Sequence, residues 1–182
     1  GPLKRGSGFS FMMFRAGVGT SSAIVRVDSA QNYTLFVGVT DIGPGAKTTM
    51  GMIAAEELGV PLSQVEVVSG DTDRCPYSVG ESGSRTTIQT GYAVVQAAKE
   101  LKQQIAAQGM PSGSEVLIAS ATPVPNTDGK TRQCFGAHFV EVEVDTRIGT
   151  TRILKYTTVH ESGRIINPTT ARDQIRGATI QG

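Results

Sequence analysis

Short apolar runs alternate with glycine-rich turns along the chain, and the period of each run predicts its element. Residues 8–15 (GFSFMMFR) are almost continuously apolar, the pattern of a buried strand. Over residues 22–28, Val25 and Val27 alternate with Ile24 and Arg26, which predicts a half-exposed strand. Residues 33–40 predict another, with Ala30-Gln31-Asn32 as the turn between the two. The period then becomes helical. Met50, Ile53, Ala54 and Leu58 share one face of a helix over 46–58, and Gly59 stands where a left-handed cap closes it. A short strand over 65–68 and a polar loop over 69–73 follow. A longer helix is predicted over 87–107, with Val94, Ala98, Leu101 and Ile105 as its buried stripe.

Residues 108–133 lack a period. They contain one apolar burst, Val116-Leu117-Ile118, and a turn or linker at Asn126-Thr127-Asp128-Gly129. A hairpin then predicts itself: Val140, Val142 and Val144 alternate with Glu141 and Glu143, turn through 145–149 and return over 152–159. Asn167-Pro168 supplies the cap and first turn of a last helix. The sum is an α+β fold, antiparallel sheets with helices packed on one face. The expected organisation is a first lobe over 4–107 holding both glycine-rich loops, a linker-like segment over 108–133, and a hairpin plus helix over 134–182. Residues 1–3, opening Gly1-Pro2, read as a scar of protease cleavage, so the chain is expected to be a piece of something longer.

Composition narrows the function classes. The 182 residues are 38% hydrophobic and 18% charged, with a formal net charge of +1. That suffices to bury one core or two small ones. Scattered basic and aromatic residues argue against nucleic-acid binding. With no apolar run long enough for a membrane span and no secretory leader, a cytoplasmic location is expected. Cys75 and Cys134 stand too far apart, without ligand neighbours, to build a zinc or iron–sulfur site, and are read as reduced thiols. His138 and His160 are read as isolated structural histidines on strands.

Two segments are suited to holding an anion. Asp41-Ile42-Gly43-Pro44-Gly45 joins a strand to a helix; its glycines admit a ligand close to the backbone, and the helix start presents N–H groups. An ordinary strand-to-helix turn would look the same. Gly80-Glu81-Ser82-Gly83-Ser84-Arg85-Thr86 concentrates small residues, hydroxyls and one guanidinium before the long helix, a phosphate-friendly set or a flexible loop ending in a threonine cap. Gly17-Val18-Gly19-Thr20 lacks the third glycine and the parallel context of a dinucleotide fingerprint. No nucleophile–base pair can be argued from spacing.

Four stretches, in order, resemble the xanthine dehydrogenase/aldehyde oxidase family of molybdenum hydroxylases, in its molybdopterin-binding large subunit: DIGPGAKTTMGMIAAEELGVPLSQVEVVSGDTD, SVGESGSRTT, FGAHFVEVEVDTRIGTTRILKY and GRIINPTTARDQIRGATIQG. The resemblance implies that Ile42, Gly43, Pro44 and Gly45 pass close to the pterin. It implies that Gly80, Glu81, Ser82, Gly83, Ser84, Arg85 and Thr86 hold the cofactor phosphate and line the metal's surroundings, and that Gln174 contacts the pterin. It assigns no protein ligand to the metal. The family reaction hydroxylates an aldehyde or N-heterocycle as the small-molecule substrate, and electrons leave through iron–sulfur and flavin modules. The implied partners are the rest of the large subunit and those modules.

Three departures qualify the implication. The family usually has glutamine where this chain has Pro44, so one cofactor contact is lost or replaced. Glu81 stands where a small or neutral residue is usual. The family's glutamate base falls beyond Gly182, so no catalytic residue is assigned here. The stretch before Phe135 is also shorter than the family's. The expectation is therefore a fragment of an oxidoreductase, without cofactor or turnover alone, and with exposed apolar surfaces that promote self-association. The alternative is a non-enzymatic module, binding a phosphate ligand or serving assembly.

Overall fold

A computed structural model describes residues 1–124 and 129–182. The segment Asn126-Thr127-Asp128, read above as a turn or linker, lies outside the described residues. Among the described residues, seven strands and three α-helices form in the order β1 (Leu3–Arg15), β2 (Ala23–Asp28), β3 (Tyr33–Val37), α1 (Ala46–Leu58), β4 (Val65–Ser69), α2 (Thr86–Gln108), β5 (Val116–Ala121), β6 (Gln133–Asp145), β7 (Thr150–Glu161) and α3 (Pro168–Gln181). They divide into two units. One comprises Gly1–Ala16 and Thr131–Arg164, the other Gly17–Lys130 and Ile165–Gly182.

The division cuts across the expected succession of lobes. Backbone pairing causes this: β1 hydrogen-bonds along its whole length to β6, from Leu3 opposite Asp145 to Arg15 opposite Gln133. The last helix, meanwhile, groups with the first lobe. Leu3 thus opens a strand, and the carbonyl of Pro2 accepts from the amide of Thr146 at 3.0 Å.

The larger unit carries the core. Its sheet runs β4-β3-β2-β5 and is antiparallel except for β3 and β4, which pair in parallel because α1 crosses over between them. Val25 and Val27 of β2 and Leu35 and Val37 of β3 are fully buried against Met50 and Ala54 of α1 and Val94, Ala97 and Leu101 of α2. Each of these valine, leucine and methionine side chains contributes about 1.5–3 kcal/mol by leaving water. The predicted stripes of both helices are the observed ones, with Ile53, Leu58 and Ile105 packed at the margin. Gly59 closes α1 at φ 75°, and its amide bonds back to the carbonyl of Ala55. On the opposite face Arg26 reaches Thr34 Oγ1 at 3.4 Å, and the Arg74 guanidinium lies 5.5 Å over the Phe36 ring. The burst at 116–118, expected only as an interruption, is the start of β5, which pairs with β2 over its full length.

The smaller unit is a three-stranded antiparallel sheet, β1-β6-β7. Here one expectation is corrected. The run GFSFMMFR is a strand, but not a buried one: Phe9, Phe11 and Met13 are 68%, 73% and 63% exposed. Register places them on one sheet face with Phe135, Phe139 and Val159, which are also exposed. An apolar run records what a surface can bury, not that something covers it. The histidines are corrected too. They are not isolated, because the rings of His138 and His160 meet edge-on at 5.1 Å and His138 Nδ1 lies 3.0 Å from Tyr156 Oη.

Candidate functional site

Both glycine-rich segments belong to the larger unit, each leading into a helix. The first leaves the sheet after β3 and enters α1 through Gly45, at φ 79°. Its electrostatics differ from the expected open anion site. Asp41 turns its carboxylate back onto the loop, accepting from the amides of Gly43 at 3.0 Å, Gly45 at 3.1 Å and Lys47 at 3.2 Å. These donors, Gly43 foremost, hold the Asp41 carboxyl below the ordinary carboxylate range, against the opposing effect of burial. The chain's own anion thus occupies the start of α1. Ile42, at the tip, is 73% exposed.

The second segment is braced from three sides. Residues 20–22 run alongside 77–79, with the Ser22 amide on the Tyr77 carbonyl and the Val79 amide on the Thr20 carbonyl. The amide of Gly17 then bonds to the Gly83 carbonyl at 2.6 Å. Arg85 does not present an open guanidinium. Its nitrogens donate to the carbonyls of Gly80 (3.2 Å), Val79 (2.8 Å) and Val18 (3.2 Å), so its charge shapes the loop from within. Ser82, Gly83 and Ser84 are exposed. Gly80 and Gly83 have φ values of 87° and 64°, and Ser84, a rare non-glycine in this region, has 56°. Ser84 is followed directly by Arg85 in right-handed helical geometry, and alternation of this kind is the backbone pattern by which successive N–H groups can converge on an anion. No side chain caps α2, whereas Asp41 covers the start of α1 and Asn167 Oδ1 accepts from the amides of Thr169 and Thr170 at the start of α3.

The loops are joined to each other. Glu81 accepts from the amide of Thr40 at 3.1 Å, and the Thr40 hydroxyl donates to its other carboxylate oxygen. The last helix meets the first loop as well: a methyl group built on Gly45 would lie 3.0 Å from Thr170 Cγ2. Gln174, one turn beyond Thr170, shares that helix face and is exposed. The predicted residues of all three segments therefore lie on connected backbone of a single unit. Gln174 itself has no contact with either loop given by the structure.

Sequence reasoning missed several contributors. Thr40 and Asp41 organise the first loop, and the signal was present: an aspartate two and four residues ahead of glycines, just before a helix, is an Asx-type turn pattern. Gly17 and Gly19, set aside as half a fingerprint, are needed for close approach, since a methyl group on Gly19 would fall 2.7 Å from Val79 Cγ1. Gly38 is tighter still, at 2.3 Å from the Pro76 carbonyl oxygen. Among the described residues no group of three or more His, Cys, Asp or Glu side chains gathers to hold a metal, and no helix is long and apolar enough to cross a membrane. A cleft lined by Ser7, Phe9, Phe139, Glu141, Lys155 and Thr157 lies on the smaller unit's sheet and includes neither loop.

The chain is similar in sequence and in fold to known oxidoreductase subunits. The aldehyde oxidoreductase molybdenum-binding subunit PaoC of Escherichia coli is 34% identical over 188 residues, covering 89% of this chain and 26% of that protein. The 6-hydroxypseudooxynicotine dehydrogenase complex subunit gamma of Paenarthrobacter nicotinovorans is 29% identical over 221 aligned positions, covering 98% of this chain and 28% of the relative. That alignment is longer than the chain, so the relative carries additional residues within the matched region. Among solved structures, the aldehyde oxidoreductase of Desulfovibrio desulfuricans superposes with a TM-score of 0.79 at 25% identity, over 97% of this chain and 22% of its own. The CO dehydrogenase of Oligotropha carboxidovorans, at 24% identity, shares the fold with a TM-score of 0.86 over 97% of this chain and 28% of its own. The chain thus spans about a quarter of the relatives it matches, and none of these likenesses supports a non-enzymatic module. The family model described as the molybdopterin cofactor-binding domain matches residues 1–122 and 113–182, and the chain belongs to that family.

Proposed function

We propose that this chain is the phosphate-holding part of the cofactor cage in the large subunit of a molybdenum hydroxylase, and that the whole protein hydroxylates an aldehyde or an N-heterocycle. The observation that carries the reading is the uncapped start of α2, where the Ser84–Arg85 backbone curls behind a glycine loop. The residues present fit a pterin phosphate there. Gly43 and Gly80 face open space on the side a Cβ would occupy, so a ligand can approach their backbone.

In this reading the amides of residues 82–86 and the hydroxyls of Ser82, Ser84 and Thr86 hold the phosphate. Gly43, Pro44 and Gly45 pass beside the pterin, with Ile42 at the tip and Gln174 on the neighbouring helix face. Pro44 offers no N–H, so any contact from it is through its carbonyl or ring. Arg85 and Glu81 act one step back, fixing the loop. The cofactor, when bound, supplies the redox chemistry of hydroxylation, with the oxygen coming from water; the protein binds and orients it. The names of relatives that describe a complex subunit and a large subunit fit a multi-subunit assembly. Iron–sulfur and flavin partners and a cytoplasmic location complete the proposal.

Turnover tests it. The longer subunit, purified with its partners, is expected to oxidise members of a panel of aldehydes and N-heterocycles with a dye as electron acceptor. The 182-residue chain alone is expected to hold no cofactor and give no turnover. A longer protein that oxidises no member of the panel contradicts the proposed reaction, and turnover by the short chain contradicts the assignment of the remaining cage to other parts of the protein.

A further inference from the structure

We infer that Glu81 is a positioning residue that ties the two cofactor loops together through Thr40, and that loss of this tie weakens retention of the pterin. The inference rests on the proposed function for its second half only; the tie itself stands on geometry.

Forty-one residues of chain separate the partners, and both oxygens of the carboxylate are used. One accepts the Thr40 amide at 3.1 Å, the other the Thr40 hydroxyl. Two bonds to one anchor fix the direction of the side chain as well as its position, and bonds to an ionised group are the stronger kind. Thr40 lies between the fully buried Val39, two residues past β3, and Asp41, whose carboxylate organises 43–47. Glu81 lies between Gly80, whose carbonyl is held by Arg85, and Gly83, whose carbonyl is held by Gly17. The tie therefore joins the rigid entry of one loop to the braced middle of the other. Without it the first loop keeps the bonds of Asp41, and the second those of Arg85, Gly17 and residues 20–22. This gives Glu81 a role other than an additional carboxylate presented to the metal, because its oxygens are already engaged.

The test uses the full-length subunit. Cofactor-free protein, from cells unable to make the pterin, isolates the tie; protein from competent cells measures retention. In the cofactor-free subunit Glu81→Ala is expected to speed amide exchange in the peptide spanning residues 38–45 by roughly tenfold, as expected for loss of a charge-assisted bond. Thr40→Val, which removes the hydroxyl bond and keeps the amide bond, is expected to speed it less, and the double variant to match Glu81→Ala. Glu81→Gln is expected to restore protection, because the amide oxygen accepts from the Thr40 N–H and the Thr40 hydroxyl can turn to accept from the amide nitrogen. In competent cells molybdenum per chain is expected to fall severalfold for Glu81→Ala and to recover for Glu81→Gln.

Unchanged exchange in Glu81→Ala, or effects that add in the double variant, overturns the tie. Faster exchange with undiminished molybdenum in Glu81→Ala overturns the positioning role. Should Glu81→Ala fail to fold, the same comparison between Thr40→Val and Glu81→Gln decides. A wild-type subunit without molybdenum contradicts the proposed function instead, and leaves the exchange result to decide the tie.

Discussion

Gly38 shows how tightly the sheet and the 76–79 segment are packed. A methyl group there would sit 2.3 Å from the Pro76 carbonyl oxygen and 2.9 Å from Ser78 Cβ. Backbone cannot retreat as a flexible side chain can, so Gly38→Ala is expected to lower stability by about 1–3 kcal/mol, read from the urea midpoint. Asp41 makes a pH-dependent contribution. Its carboxyl is held below the unfolded value near 3.8, so the folded state gains while the group is ionised. The stabilisation is complete above that value and fades as pH falls through the lower folded-state pKa. Asp41→Ala is therefore expected to cost roughly 0.5–2 kcal/mol near neutrality, the range for removing a helix cap. The gap from wild type should narrow between neutral and acid pH, as the carboxyl titrates through its lowered folded-state pKa. An equal gap at both pH values would show that lost packing, not charge, is responsible. At this scale the sequence was half legible. Glycines announced where a Cβ is absent, but whether that leaves open space, as at Gly80, or admits Val79, as at Gly19, depends on the segment opposite. The same holds for Arg85, which read as a phosphate fork and is bonded to three carbonyls.

Elements with their own signals were legible almost to the residue. α1 carries its stripe and glycine cap, and α3 carries Asn167 and Pro168. The paired valines of β2 mark its buried face. These follow from local rules acting over one or two turns, which need no knowledge of the partner element. Leu101 tests the helix stripe. It is fully buried between α2 and the sheet, and Leu101→Ala is expected to cost about 2–5 kcal/mol on denaturation. Elements that depend on a distant partner were not legible. β5 is short and mixed in pattern, and it exists as a strand because β2 offers a free edge. The parallel alignment of β4 follows from the crossover of α1, which periodicity does not report.

On the scale of the whole molecule, the sequence suggested lobes in succession, while the chain interleaves its two units. β1 pairs with β6 across more than a hundred residues, and nothing in either strand alone names the other. The apolar face formed there has a consequence for the isolated chain. Phe9, Phe11, Met13, Phe135, Phe139 and Val159 present one exposed surface, so self-association is expected in size-exclusion chromatography with light scattering. Phe9→Ser with Phe11→Ser should shift the chain toward monomer. A wild-type chain that stays monomeric at high concentration contradicts this. The central claim concerns the other unit, whose glycine loops are read as half of a cofactor cage. Its most direct test is the molybdenum and pterin content of the longer subunit after purification. About one molybdenum and one phosphorylated pterin per chain are expected, the stoichiometry of a cofactor that carries the redox chemistry in a single site. A correctly folded longer subunit, made in cells that supply the cofactor yet containing neither molybdenum nor pterin, would contradict it.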